Sequence, residues 1–180
     1  MGFFSSGNLY QFLNNQNSKE LIGAEVGVSQ GTNLAYMLVN SPSISKIFAI
    51  DPYLAYQDWC GFVSQEMQDQ NKAITKYKMD SLGLSDRIEF VYKPSDEACN
   101  DIEDGSLDFI YIDGDHSYEW AYKDFNNYYS KVKTGGIFAG HDFSLAGVNR
   151  ALQEFMNSLG LEFEKDLVLL ENDSWLLYKN

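Results

Sequence analysis

The chain has 180 residues and a mass of 20.5 kDa, a size that one folded domain accounts for. Apolar residues make up 44% of it and aromatic residues 15%, a composition that excludes an intrinsically disordered or fibrous protein. Its 13 basic and 26 acidic residues give a formal net charge of −13, which disfavours nucleic acid as a partner because phosphate binding needs positive charge.

The sequence also argues against a membrane protein and a secreted one. No apolar run approaches the ~18 residues that span a bilayer, and the first residues lack the basic start of a secretory signal. The two cysteines, Cys60 and Cys99, cannot build a disulfide framework. We therefore expect a cytoplasmic protein without membrane contact.

Strand-like and helix-like segments alternate along most of the chain. Buried-strand patterns occupy residues 21–28, 46–51, 88–92, 107–112 and 137–139. Helical spacing of apolar residues marks residues 32–40, 62–79, 95–102, 118–132 and 148–159. This alternation predicts right-handed crossovers and an α/β fold of three layers, in which a parallel sheet is covered by helices on both faces.

The C-terminal part departs from the alternation. Two strand-like runs, 162–170 and 175–178, are separated by the polar residues 171–174, which predicts an antiparallel hairpin. The hairpin brings the mostly parallel sheet to seven strands. Residues 1–180 then form a single domain, in which residues 1–19 are a short helical extension.

The aromatic and apolar residues after the second strand line either a site or the core. The segment before the helix holds four aromatic residues, Tyr53, Tyr56, Trp59 and Phe62. They either form a lid or acceptor wall over a site, or pack in the core at the start of the helix. Within the helix over 62–79, three residues are expected on the inner face, Met67, Ile74 and Tyr77.

The turn after the first strand has the residues of a ligand-binding turn. Gly27 and Gly31 permit a tight bend and a close approach to the backbone. Asp51 closes the second strand 20 residues after Gly31, where an acid can accept hydrogen bonds from ribose hydroxyls. The fingerprint G-x-G-x-x-G is missing, so a dinucleotide-dependent dehydrogenase is disfavoured.

Three polar residues follow the last two strands of the parallel series. Asp113 comes after strand 107–112, and His141 and Asp142 come after strand 137–139. If these strands are neighbours, their ends lie ~4.8 Å apart, close enough for the side chains to meet at one ion. Carboxylates favour magnesium, calcium or manganese, and an imidazole shifts the preference towards manganese, iron or zinc. Alternatively, the acids cap the following segments.

Two residues on the loop after Asp113, Asp115 and His116, are candidates for a general base. His116 titrates near neutral pH and could remove a proton from a hydroxyl group. Asp115 is the competing base on the same loop.

Taken together, these segments resemble the class I S-adenosylmethionine-dependent methyltransferases, which have a Rossmann-like fold. The resemblance spans roughly residues 20–180 and lies in four motifs: Glu25-x-Gly27-x-x-x-Gly31, Ile50-Asp51-Pro52, Tyr111-Ile112-Asp113-Gly114-Asp115-His116, and Gly135-Gly136 leading to Gly140-His141-Asp142. Within the class, the last two motifs are similar to metal-dependent O-methyltransferases of small molecules, including sugars and catechols.

The resemblance implies a role for each matching residue. Cofactor contacts would come from Glu25, Gly27, Gly31, Asp51, Ser95, Asp96 and Asp113. Asp113, His141 and Asp142 would hold a magnesium or manganese ion, and His116, with Asp115 as the alternative, would be the base. The chain would then be an O-methyltransferase whose acceptor is a hydroxylated small molecule, a sugar or a phenol.

Two other interpretations remain open. The enzyme could work without a metal, with His116 or Asp115 acting alone. The domain could also bind the cofactor without turnover, as a regulatory module. Association into a homo-oligomer is possible in each case.

Overall fold

The computed structural model describes residues 3–4, 8–16, 20–58 and 61–180. Its helices are α1 (Leu9–Asn14), α2 (Thr32–Asn40), α3 (Gln65–Ser81), α4 (Ser95–Ala98), α5 (Tyr118–Tyr129), α6 (Ala146–Ser158) and α7 (Phe163–Asp166). Its strands are β1 (Phe3–Phe4), β2 (Leu21–Val26), β3 (Ile44–Ile50), β4 (Tyr56–Asp58), β5 (Gly61–Val63), β6 (Ile88–Val91), β7 (Leu107–Ile112), β8 (Val132–Gly140), β9 (Val168–Leu169) and β10 (Trp175–Tyr178). Trp59 and Cys60 lie outside the described residues.

The main sheet has the strand order β1-β9-β10-β8-β7-β2-β3-β6. Strands β8, β7, β2, β3 and β6 run parallel to one another, whereas β10 is antiparallel to both β8 and β9. The prediction of a mostly parallel α/β sheet of seven strands with an antiparallel C-terminal pair is confirmed. The two residues of β1 pair with β9 and extend the sheet by an eighth short strand.

The centre of the sheet is buried on both faces, as the unbroken apolar run of β7 predicts. Phe109 and Ile110, which are successive residues of β7, are fully buried on opposite sides. One side packs against α5 and α6 through an aromatic cluster that includes Phe125, Phe138 and Trp175. The other side packs against α1 and α2. This packing fixes the ends of β2, β3, β7 and β8 along one edge.

The inner face predicted for the third helix is wrong. Met67, Ile74 and Tyr77 are 51%, 41% and 76% exposed, and the buried residues of α3 are Gln68, Thr75 and Met79. The physical reason is that α3 packs on the backbone of two turns, which needs hydrogen bonds. The Thr75 hydroxyl donates to the Ser29 carbonyl at 2.7 Å, and the Gln68 amide donates to the Leu54 carbonyl at 3.0 Å.

Several predicted boundaries also need correction. The strand predicted over 21–28 ends at Val26, because the chain turns at Gly27. The helix predicted over 62–79 begins at Gln65, after the Ser64 hydroxyl accepts a hydrogen bond from the backbone N–H of Met67.

The last helices and strands differ from the pattern as well. The region 95–102 is one helical turn followed by a 3₁₀ turn, Cys99–Asp101. The strand predicted over 162–170 is the short helix α7 followed by the two residues of β9, because only those two residues pair with β10. Among the described residues, no helix combines the length and apolarity needed to cross a membrane.

Candidate functional site

A cleft of about 1560 Å³ lies along the carboxyl ends of the central strands. Most of the residues predicted to form the site line it: Glu25, Gly27, Asp51, Ser95, Asp113, Asp115 and His116. Open α/β sheets bind their ligands at this edge. The strand ends therefore bring together the acids that the sequence places far apart.

Gly27 is required by the close approach of two strand ends. Its φ is +84°, a conformation that favours glycine, and a Cβ atom there would lie 1.9 Å from the carbonyl oxygen of Asp113. Gly31, at φ +67°, does not line the cleft; its missing side chain makes room for Thr75 and Met79 of α3. The two predicted glycines therefore shape the turn, and only Gly27 faces the ligand space.

Replacing Gly27 with alanine is expected to lower the free energy of unfolding by about 3 kcal/mol or more, because backbone strain and a collision with the Asp113 carbonyl act together. Thermal unfolding measures this loss. Gly83→Ala is the matched control, since Gly83 also has a positive φ, +66°, but nothing within 4 Å of a new Cβ. The control should lose only about 1 kcal/mol. Equal losses in the two variants would contradict the collision.

Asp51 stabilises the turn through hydrogen bonds from backbone N–H groups. One carboxylate oxygen accepts from the backbone N–H groups of Val28 and Ser29, at 3.0 and 2.8 Å, and the other accepts from the N–H of Tyr53 at 2.8 Å. Burial raises the pKa of Asp51, and these hydrogen bonds oppose the rise. Asp51 still lines the cleft, so contact with ribose hydroxyls stays a prediction, added to a structural role.

Glu25 is a buried acid with a hydrogen-bond partner on one of its two carboxyl oxygens. Its side chain is 1% exposed, and one carboxylate oxygen accepts from the amide of Asn33 at 3.0 Å. The other oxygen has no hydrogen-bond partner within the described part of the chain. Burial raises the pKa of Glu25 to about 8. A buried, unpaired carboxyl oxygen beside the cleft fits a cationic ligand, such as the ammonium group of S-adenosylmethionine.

Ser95 and Asp96 are predicted cofactor contacts, and only Ser95 lines the cleft. Ser95 lines the cleft, whereas the carboxylate of Asp96 lies 2.7 Å from the ammonium of Lys123 and faces away from the cleft lining. Ser95 is held on both sides: its hydroxyl donates to Asp124 at 2.6 Å, and its carbonyl accepts from the Tyr128 hydroxyl at 2.7 Å.

Asp124 is a site residue that the sequence reasoning missed. It is 3% exposed, it lines the cleft, and burial raises its pKa to about 6. A signal was present in the pattern of α5. The buried stripe of that helix is Ala121, Asp124, Phe125 and Tyr128, and an acid at such a position needs a polar partner.

The aromatic residues before α3 differ in burial and in whether they line the cleft. Tyr53 is buried, and its hydroxyl donates to the Ser29 carbonyl at 2.8 Å. Tyr56 is exposed and lines the cleft, whereas Phe62 is exposed outside the lining. Tyr53 is therefore a core residue, and Tyr56 is the part of the segment placed to contact an acceptor.

The three predicted ion ligands converge. Ligand atoms of Asp113, His141 and Asp142 all lie within 4.8 Å of one another, because β7 and β8 are neighbours and pair through Ile112 and Gly140. The Nδ1 atom of His141 lies 3.1 Å from an Asp142 oxygen and 3.7 Å from an Asp113 oxygen.

His116 joins this cluster from the loop after β7. Its Nε2 atom lies 2.8 Å from the second carboxylate oxygen of Asp142. Asp115, by contrast, uses an oxygen to accept from the backbone N–H of Ser117 at 2.8 Å. The geometry thus pairs His116, and not Asp115, with the ion-ligand cluster.

The cluster attracts positive charge. Burial, opposed by His141, raises the pKa of Asp113 to about 6, and the hydrogen bond to Asp142 is the main cause that raises the pKa of His141 to about 9. The pKa of Asp142 falls below its usual range, because hydrogen bonds from both histidines outweigh burial. Two carboxylates and an imidazole fit a hard or borderline divalent cation, whose binding would displace these protons.

The chain is similar to known proteins in sequence. Residues 24–143 match a family model described as a methyltransferase domain, a range that includes every predicted site residue. An uncharacterized protein of Acanthamoeba polyphaga mimivirus is 28% identical over 127 residues. That match covers 69% of this chain and 52% of the viral protein, so the chain spans about half the length of the curated relative it matches.

The fold is similar to that of several solved structures. The O-methyltransferase TomG of Streptomyces achromogenes, in complex with SAM, aligns with a TM-score of 0.66 at 8% identity, covering 96% of this chain and 78% of that one. A precorrin 8W decarboxylase of Methanobacterium thermoautotrophicum aligns with a TM-score of 0.63 at 15% identity, covering 94% of this chain and 87% of that one. Identities this low establish the fold and not the reaction. By its sequence match the chain belongs to the methyltransferase domain family, and its fold is that of the class I, S-adenosylmethionine-dependent methyltransferases.

Proposed function

We propose that the protein methylates a hydroxyl group of a small molecule, a sugar or a phenol, with S-adenosylmethionine as the methyl donor and a divalent cation as an aid. The observation that supports this proposal is the convergence of Asp113, His141 and Asp142 beside His116 at the edge of the cofactor cleft. Carboxylates and imidazoles in this arrangement suit the activation of an oxygen nucleophile.

The reaction is an in-line displacement at the sulfonium methyl group. The acceptor oxygen forms a bond to the methyl carbon, and the carbon–sulfur bond breaks with its electron pair left on sulfur. The products are a methyl ether, S-adenosylhomocysteine and the proton of the hydroxyl group. The protein must therefore align the two reactants and accept that proton.

Residues of the first turn are suited to orient the donor. Glu25 offers a buried carboxyl oxygen to a cation, and Asp51 and Ser95 line the cleft where the nucleoside would lie. Gly27 keeps the floor free of side chains. These contacts would place the methyl group towards the ends of β7 and β8.

An ion held by Asp113, His141 and Asp142 would bind the acceptor oxygen and lower the pKa of its hydroxyl group. In this proposal His116 takes the proton. Two observations support that role: an Asp142 carboxylate oxygen lies 2.8 Å from Nε2 of His116 and orients the imidazole ring, and the His116 side chain, which is 35% exposed, lines the cleft.

The His116→Ala variant is expected to lose about 10²- to 10⁴-fold in turnover, the usual contribution of a general base. Added imidazole should restore part of that turnover, since the vacated position opens onto the cleft. Steady-state rates with and without imidazole measure both effects. Asp115→Asn is the control and should change turnover little, because its carboxylate caps Ser117. A larger loss in Asp115→Asn would assign the base to Asp115.

The proposal as a whole is tested by methyl transfer from S-adenosylmethionine to a panel of sugars, catechols and other diols, with Mg²⁺ or Mn²⁺ and after chelation. We expect methyl ethers that depend on the added ion. Product formation that chelation leaves unchanged would favour the metal-free enzyme. Tight cofactor binding without any product across the panel would favour the regulatory module.

A further inference from the structure

A small side chamber of about 120 Å³ adjoins the ion-ligand cluster. Its walls come from the start of α1, from α2, from the turn before β10 and from the strand ends that carry Asp113 and His141. Asp51 and Ser95, two of the predicted cofactor contacts, do not line it, whereas Asp113 does. The chamber therefore adjoins the cofactor cleft at Asp113 and lies apart from the predicted ribose and adenine contacts.

The chamber communicates with the cleft at one place. Asn33, Tyr36, Asp113 and Asn172 line both spaces. A molecule in the chamber therefore meets the cofactor space beside Asp113, which is one of the predicted ion ligands. A hydroxyl group pointing out of the chamber would lie where the reaction requires the nucleophile.

The size of the chamber limits what it can hold. An apolar cavity of about 150 Å³ accommodates one benzene molecule. The chamber, of about 120 Å³, is smaller than that cavity and opens onto the cleft, so one five- or six-membered ring would fill it. The second ring of a fused pair would have to lie outside the chamber, in the cleft.

Two tyrosines that contact each other form part of the chamber wall. The rings of Tyr10 and Tyr36 meet edge to face with their centroids 5.5 Å apart, and their side chains are hydrogen-bonded. Asn8 ties the start of α1 to the opposite wall, because its amide lies 3.3 Å from a Glu171 oxygen and its carbonyl oxygen accepts from Asn172 at 3.4 Å. The tyrosine pair is therefore held against the turn at 171–174.

We propose that this side chamber is the acceptor subsite, that it takes a single hydroxylated ring with the reacting oxygen towards Asp113 and His141, and that Tyr10 and Tyr36 set the size limit. The proposal rests on the proposed O-methyltransferase function and adds the class of acceptor. Aromatic walls bind the face or edge of a ring, and the amide groups of Asn33 and Asn172 offer hydrogen bonds to further hydroxyls.

The test compares four probes that differ in ring number and saturation. They are catechol, cis-cyclohexane-1,2-diol, 2,3-dihydroxynaphthalene and cis-decalin-2,3-diol. Binding to the full chain is measured by ligand-observed NMR titration, and product formation with S-adenosylmethionine and Mn²⁺ is measured separately. In the wild type we expect at least one single-ring diol to bind about 10-fold or more tightly than its two-ring counterpart, which corresponds to about 1.4 kcal/mol.

Variants of the wall provide the decisive comparison. Tyr36→Ala and Tyr10→Ala should reduce the preference for one ring to about 2-fold or less, because each removes a ring from the wall. Tyr36→Phe should keep the preference, since it removes only the hydroxyl group. Tyr77→Ala is the control for losing a tyrosine, because Tyr77 is exposed on α3 and lines neither space.

The outcomes separate the two proposals. Unchanged ring preference in both alanine variants, or equal binding of one and two rings by the wild type, would overturn the acceptor subsite even if methylation occurs. Single-ring binding that responds to the wall variants, but without methylated product, would support the subsite and contradict the proposed reaction. Should the alanine variants fail to fold, Tyr36→Trp would replace them and should exclude the single-ring probes.

Discussion

The Asp142→Ala variant is expected to lose methyl transfer by about 10²- to 10⁴-fold while it still binds S-adenosylmethionine. Asp142 contributes one oxygen to the ion-ligand cluster and the other to His116. Its removal therefore disrupts both the predicted ion site and the orientation of the predicted base. Steady-state methyl transfer and cofactor calorimetry on the same preparation measure the two properties.

Turnover alone does not separate the mechanisms with and without a metal, because His116 depends on Asp142 in both. Mn²⁺ binding, measured by electron paramagnetic resonance, makes the distinction. The metal-assisted mechanism predicts that the wild type binds Mn²⁺ and that Asp142→Ala does not. A wild type that is active but does not bind Mn²⁺ would contradict the role of the cluster as an ion site.

The Asp142→Ala substitution also strains the backbone, and this effect on stability needs a control. Asp142 has a φ of +59°, and alanine tolerates this region less well than aspartate. Asp173→Ala shares this strain, since Asp173 is an aspartate with a φ of +60° that lies outside the cluster. It also loses the hydrogen bonds that the Asp173 carboxylate accepts from the backbone N–H and the hydroxyl of Ser144, so it should lose at least as much stability as the strain alone costs. Its Mn²⁺ binding should nevertheless change much less than that of Asp142→Ala.

Binding of S-adenosylmethionine at pH 7 is expected to release a proton from Glu25. In the empty cleft burial holds the pKa of Glu25 at about 8, so the carboxyl group is mostly protonated. A cationic ligand at its unpaired oxygen favours the ionised form and expels the proton. Cofactor affinity should consequently rise as the pH increases from about 6 towards 8.

Calorimetry in two buffers of different ionisation enthalpy measures this release. The difference in apparent binding enthalpy at pH 7 should be present in the wild type and much smaller in Glu25→Gln. The variant should also bind the cofactor about 10-fold or more weakly, since it offers a neutral amide where the wild type offers a carboxylate. A buffer-dependent enthalpy that persists in Glu25→Gln would assign the proton to another group.

The same residue affects the stability of the empty protein. Because the pKa of Glu25 is raised from 4.5 to about 8 on folding, its contribution to stability is fully present below pH 4.5 and is lost as the pH rises from 4.5 through 8. Each pKa unit corresponds to about 1.4 kcal/mol, so the loss is on the order of 5 kcal/mol. Glu25→Gln should flatten this pH dependence in thermal unfolding.

Much of the fold follows from the sequence because the strands are short apolar runs and the helices are amphipathic. The ion-ligand cluster was predictable for the same reason. Asp113 and the pair His141 and Asp142 each follow a buried strand, and parallel strands present their carboxyl ends at one edge. Once β7 and β8 are taken as neighbours, the meeting of these side chains follows.

Other features depend on contacts that no local pattern contains. Two of the three buried residues of α3, Gln68 and Thr75, are polar because the helix packs on the backbone of neighbouring turns, which apolar spacing does not indicate. Asp96 and Asp124 are both acids near the cleft, but only Asp124 lines it. Asp96 pairs with Lys123 instead, a contact that the sequence pattern does not indicate. Tyr10 and Tyr36 lie 26 residues apart in sequence, so their shared wall requires the packing of α1 against α2.

We infer that the cofactor turn and the ion-ligand cluster act on one reaction space. A crystal structure with S-adenosylhomocysteine and Mn²⁺, with the metal located by anomalous scattering, tests this inference. We expect the nucleoside beside Glu25 and Asp51 and a manganese ion bound by Asp113, His141 and Asp142. A nucleoside bound elsewhere, or a cluster without an ion at saturating Mn²⁺, would contradict it.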